Sequence, residues 1–138
     1  MKTVLLLFFG LLFNSILYSQ VTFDDGETFY TDSTETVLCH GKYRKFYSGL
    51  ILKSSENFVK GKLSNESHEF FENGLMKSNY SYKNGLLDGF SLEYFPGLDQ
   101  IKSKIQYSKG LKNGEAISYD EIGEISETLM YVDGVLQK

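Results

Sequence analysis

Large apolar and polar residues alternate along short runs of this chain, and each run ends in a glycine-bearing turn. In Phe90-Ser91-Leu92-Glu93-Tyr94-Phe95, the side chains of Phe90, Leu92 and Tyr94 fall on every second position. The run Ile101-Lys102-Ser103-Lys104-Ile105-Gln106-Tyr107 alternates too, with Ile101, Ile105 and Tyr107 in phase. A period of two is the signature of a strand with two different faces. Pro96-Gly97-Leu98-Asp99 lies between the two runs, and Glu72-Asn73-Gly74 holds the equivalent place one unit earlier. Both are turn clusters, so each pair of runs reads as a β-hairpin. No segment beyond the first twenty residues sustains a 3.6-residue period.

The hairpins recur. Aromatics stand at Phe46, Phe70, Tyr94 and Tyr119, spaced 24, 24 and 25 residues apart. A second aromatic column, Phe58, Tyr82, Tyr107 and Tyr131, keeps spacings of 24, 25 and 24, and each member is followed three residues later by glycine: Gly61, Gly85, Gly110 and Gly134. Four residues beyond these glycines come Asn65, Gly89 and Gly114, with Gly41 in the same phase one unit earlier. Such self-similarity signals stacked supersecondary units. The two glycines of Gly-Leu-Leu-Asp-Gly are expected to mark the ends of a tight connection between hairpins, at positive φ. Turn glycine and following aromatic lie 9, 8, 10 and 8 residues apart, a difference that bulges must absorb. Residues 41–138 thus form the array. Residues 20–40, where Phe23-Asp24-Asp25-Gly26 matches Phe46-Tyr47-Ser48-Gly49, form a degenerate first repeat or cap. Stacking is expected to bring both aromatic columns and the Leu52, Met76, Ile101, Ile125 column onto one cohesive face. The opposite face would carry Lys45, Glu69, Glu93, Ser118 and Lys53, Lys77, Lys102, Ser126, with cross-strand ion pairs.

Phe71-Glu72-Asn73-Gly74 followed by Tyr82-Lys83-Asn84-Gly85-Leu86-Leu87-Asp88-Gly89 resembles the MORN-repeat variant of small exported bacterial proteins and of the YwqK-like antitoxins. The similarity covers about residues 41–138, and more faintly 21–40. It implies an all-β, elongated, twisted antiparallel meander of hairpins without catalytic residues in the repeats. It also implies roles in protein–protein contact, in lipid-surface contact for some members, and in toxin neutralisation. Asn65 in place of glycine and Pro96-Gly97 in place of Asn-Gly depart from the pattern.

The N-terminus changes the expected location. MKTVLLLFFGLLFNSILYSQ has a cation at Lys2, an apolar run from Val4 to Phe13 and a more polar end. That is the layout of a signal peptide over residues 1–19, cleaved after Ser19, with an uncleaved anchor helix as the rival reading. The protein is therefore expected to be exported, to the periplasm, the cell envelope or the medium. Without Lys2 the chain holds 13 Lys and Arg against 18 Asp and Glu, a net charge of −5. Interspersed acidic charge argues against nucleic acid and against an anionic membrane surface. One cysteine makes no internal disulfide, so stability must come from packing. Aromatic residues at 15% of the chain, with a single proline, fit strands.

Candidate chemistry is sparse. Cys39-His40, with only His68 as a second histidine, is too thin for a metal or nucleophilic site and reads as a packed thiol beside a surface imidazole. Asp24-Asp25-Gly26 lacks the spacing of a calcium loop. Glu69 and Glu93 sit one repeat apart in a polar column, which a solvated face explains. No catalytic triad order or phosphate loop occurs. The reading is of a non-enzyme with no catalytic, cofactor or metal residues. Tyr47, Phe71 and Phe95 follow the first aromatic column, so alternation turns them toward the polar side. With Lys53, Lys77 and Lys102 they make a candidate partner-binding stripe, which Asp120 interrupts in the last unit. Stacking on sugar rings, or covering the sheet's own edge near the turns, are the competing uses of that stripe. The expected partner is a protein. An antitoxin role and binding of envelope carbohydrate are the alternatives, and an unpaired terminal strand is a homodimer site.

Overall fold

The computed structural model describes residues 23–24, 29–30 and 39–138; the expected signal peptide lies outside them. Two short strands, β1 (Phe23–Asp24) and β2 (Phe29–Tyr30), pair antiparallel. The rest is one ten-stranded antiparallel sheet: β3 (Gly41–Phe46), β4 (Leu52–Val59), β5 (Lys62–Leu63), β6 (Asn65–Phe70), β7 (Met76–Lys83), β8 (Leu86–Tyr94), β9 (Ile101–Ser108), β10 (Leu111–Tyr119), β11 (Ile125–Val132) and β12 (Val135–Leu136). Sequential strands pair except at β5, which pairs β4 alongside β6. The chain is all-β, a meander of hairpins as the alternation predicted. Eight inter-strand steps of about 4.8 Å make the sheet about 38 Å wide. Among the described residues, the only helical piece is a 3₁₀ turn at Ser48–Leu50.

Hairpins are joined by two-residue turns: Lys60-Gly61, Asn84-Gly85, Lys109-Gly110 and Asp133-Gly134. Their φ values are 51° and 75°, 54° and 85°, 50° and 85°, 49° and 83°. Positive φ at both central residues is a type I′ turn, whose twist matches that of the flanking strands. In each turn the glycine N–H donates to a carbonyl of the preceding unit: Gly61 to Cys39 (2.7 Å), Gly85 to Leu63 (2.7 Å), Gly110 to Leu87 (2.8 Å) and Gly134 to Lys112 (2.8 Å). Every connection is thereby tied to the unit before it.

The second glycine of the motif plays another part than expected. Gly89 and Gly114 lie inside β8 and β10, at φ 116° and 115°, where the register slips against the neighbouring strand. They make bulges within strands rather than ending a connection. Each is paired with a ring: Gly41 with Phe58, Gly89 with Tyr107, Gly114 with Tyr131, and Asn65 with Tyr82.

A second set of bulges overturns the expected single aromatic face. Pairing runs in register from Gly41↔Phe58 to Lys45↔Ser54, then jumps to Phe46↔Leu52, leaving Lys53 as the extra residue. The same slip leaves out Lys77 before Phe70↔Met76, Lys102 before Tyr94↔Ile101 and Ser126 before Tyr119↔Ile125. One extra residue reverses the inside–outside parity of everything beyond it. Phe58, Tyr82, Tyr107 and Tyr131 therefore share a front face with Lys45, Glu69, Glu93 and Ser118. The column Phe46, Phe70, Tyr94, Tyr119 and its partners Leu52, Met76, Ile101 and Ile125 belong to the back. Ring contacts agree: Tyr43 meets Phe58 at 5.3 Å and Tyr80 meets Tyr82 at 6.5 Å on the front, while His68 stacks on Phe70 at 6.5 Å on the back.

With one layer and two wet faces, burial is scarce. Among the described residues the buried hydrophobics are Cys39, Tyr43, Phe58 and Ala116. Of the twelve side chains expected to supply cohesion, only Phe58 is buried, at 1% exposure, whereas Phe46 is 50% and Ile125 61% exposed. Cys39, Tyr43 and Phe58 form a compact cluster, with Leu63 packed beside it. Elsewhere the backbone ladder and cross-strand pairs hold the sheet.

Candidate partner-binding surface

Tyr47, Phe71 and Phe95 are the first residues past β3, β6 and β8, and all are half-buried. Each donates its N–H across the hairpin mouth: Tyr47 to the Ile51 carbonyl (2.8 Å), Phe71 to Leu75 (2.8 Å) and Phe95 to Gln100 (3.0 Å). They open the four hairpin turns together with Asp120, whose N–H reaches the Glu124 carbonyl at 2.9 Å. There the carboxylate accepts from the N–H groups of Ile122 (3.1 Å) and Glu124 (2.8 Å). An acidic residue interrupts the ring column because it stabilises its own turn.

Three of the six stripe residues come together. Tyr47, Lys53 and Lys77 line a shallow hollow of about 160 Å³ with Lys45, Ser54, Glu56, Glu69 and Phe70. The Tyr47 hydroxyl donates to the Phe70 carbonyl (3.0 Å), fixing the ring across the next hairpin. Lys53 Nζ stands 5.4 Å from the centre of that ring, within cation–π range. Lys45 bonds both Glu56 oxygens (3.1 and 3.2 Å), and Lys77 pairs with Glu69 at 2.9 Å. The hydrogen bond and charge of Glu69 raise the Lys77 pKa above its ordinary value. The site thus holds three ammonium groups and two carboxylates. Both carboxylates are engaged, and the charge left over is positive. Phe71, Phe95 and Lys102 stay outside the hollow, spread along the following hairpins.

Sequence reasoning placed Lys45 and Glu69 in a merely wet column and did not single out Glu56. Their convergence depends on which residues pair across β3, β4, β6 and β7. A second hollow of about 200 Å³ was also missed. It opens on the back between Phe90, Lys104, Gln106, Glu115, Ile117 and Met130, with Lys104 Nζ 4.4 Å from the Phe90 ring centre. Phe90, in phase with Tyr94 along its strand, is exposed there.

The candidate chemical groups have ordinary explanations. Cys39 is a buried free thiol, and His40 is exposed. Glu93 accepts hydrogen bonds from Tyr80 (3.2 Å) and Ser103 (3.5 Å). Among the described residues no three His, Cys, Asp or Glu side chains are grouped to hold a metal ion, and no helix is long and apolar enough to cross a membrane.

Burial pushes the Cys39 thiol above its ordinary 9.0 and the Tyr43, Tyr80 and Tyr82 phenols above 10.0, while Glu69 raises Lys77 above 10.5. All five groups bind protons more tightly folded than unfolded. The stability linked to them is complete below pH 9 and falls as pH rises through these values. Thermal melts from pH 8 to 11 should show a falling midpoint, beginning near pH 9; a flat profile would contradict these environments. The chain matches no family model, no curated protein and no solved structure.

Proposed function

We propose that this chain is an exported, non-enzymatic interaction module of the MORN-repeat kind, and that it binds a protein segment bearing carboxylates. The supporting observation is the hollow around Tyr47 and Lys53. A ring is pinned by its own hydroxyl, and beside it Lys53 rests on the ring's π face, with no ion pair among the described residues. An incoming carboxylate meets that ammonium without breaking the Lys45–Glu56 or Lys77–Glu69 pairs, and its aliphatic stem lies on the Tyr47 ring. Lys77 and Lys102, exposed at successive bulges, extend the basic row toward Phe71 and Phe95.

The test is recovery of envelope proteins on immobilised chain. Lys53→Glu combined with Lys77→Glu should lower recovery of a specific partner at least about tenfold, equivalent to about 1.4 kcal/mol. Phe71→Ala with Lys102→Glu should lower it less. Equal recovery by wild type and the Lys53/Lys77 variant would overturn the assignment. Loss in the second variant alone would shift the site along the sheet.

A further inference from the structure

The sheet has two unlike borders. On one, β3 presents Lys42, Arg44 and Lys45 with no acidic residue, and among the described residues no strand pairs with its outer side. On the other, β12 pairs only Tyr131 and Val132 of β11, and Gln137 adds one bond to the Met130 carbonyl. Among the described residues Ile125–Leu129 is left without a strand on its outer side, next to Glu121, Glu124 and Glu127, all exposed. We propose that copies of this chain join head to tail, with β3 of one copy adding to β11 of the next as an antiparallel strand.

Direction, length and register all fit. Strands alternate in direction from β3 through β11, so a copy placed in the same orientation brings β3 antiparallel to β11. Lys42–Phe46 and Ile125–Leu129 are equal in length. Inside the chain the same ladder position is filled by Ser54↔Glu69, Ser78↔Glu93 and Ser103↔Ser118. Glu127 continues the first column of that series and Lys45 heads the second. The register of the sheet, carried across the boundary, therefore sets Glu127 of one copy opposite Lys45 of the next, Thr128 opposite Arg44 and Leu129 opposite Tyr43. Opposite charges directly across a ladder attract, and like charges repel. A two-fold dimer through β3 would set cations against cations, and one through β11 would crowd carboxylates. Only the unlike pairing is complementary, and it does not close on itself, so it makes chains of copies.

Sedimentation velocity of the full chain over a concentration series tests this. At low salt the mean mass should grow through dimer, trimer and longer species, and should fall back at 1 M salt, where the screening length is about 3 Å. Glu127→Lys should remove every species above monomer. So should Arg44→Glu with Lys45→Glu; Arg44→Glu alone, which leaves the Lys45–Glu56 pair intact, should weaken growth without altering the melt. Mixing the Glu127→Lys chain with the Lys45→Glu chain should restore growth. A dimer that never grows, a monomer at all concentrations, or growth indifferent to these charges would each overturn the proposal.

Discussion

Phe58→Ala is expected to lower the unfolding free energy by about 3–5 kcal/mol, the usual cost of deleting a buried ring. Phe58 is the largest fully buried side chain described, and it meets Tyr43 edge-on at 5.3 Å beside Cys39. A single-layer sheet has little else to share the loss, because Cys39, Tyr43 and Leu63 are the side chains packed against this ring and few others lie near enough to close over the gap. A domain of ordinary stability holds about 5–15 kcal/mol, so the change approaches unfolding. Phe46→Ala is the control: that ring is 50% exposed and should cost about 1 kcal/mol or less. Urea titration of both variants decides the matter. Equal losses would show that the cluster is no more important than the exposed rings.

Gly114→Val should be the second large loss, about 1–3 kcal/mol from backbone strain alone. Gly114 sits at φ 115°, which β-branched residues avoid. A Cβ there also runs into the side chain of Gln106, whose Cδ would lie 2.8 Å away. Gly114→Asn should cost less, since Asn65 occupies the equivalent place at φ 62°. Melting temperatures of the two variants give the order. Asparagine proving worse than valine would show that the bulge geometry is not what the position demands.

The period, the turns at Glu72-Asn73-Gly74 and Pro96-Gly97-Leu98-Asp99, and the all-β class were legible because they rest on local chemistry. Asn84-Gly85 and its counterparts permit positive φ, and alternation marks the strands on either side. The distribution of side chains over the two faces was not legible. Lys53, Lys77, Lys102 and Ser126 each add one residue to a strand, and nothing in a lysine or serine announces a bulge. Counting by twos through them carried Phe46 to the face of Phe58, where it does not belong. Alternation turned Tyr47, Phe71 and Phe95 toward the polar side, with a place near the turns as the competing reading; each is the first residue past its strand, at a hairpin mouth. That Tyr47 meets Lys53 and Lys77 depends on pairing between hairpins, which one strand's pattern does not encode.

Because each hairpin pairs only with the hairpins on either side, no strand pairing among the described residues ties the far ends of the sheet together. Cooperativity then passes from neighbour to neighbour, as along a zipper, and opening starts where a terminal strand has one neighbour only. Amide hydrogens of β11 and β12 should exchange with solvent first, and those around Phe58 last, so the molecule melts as a moving front.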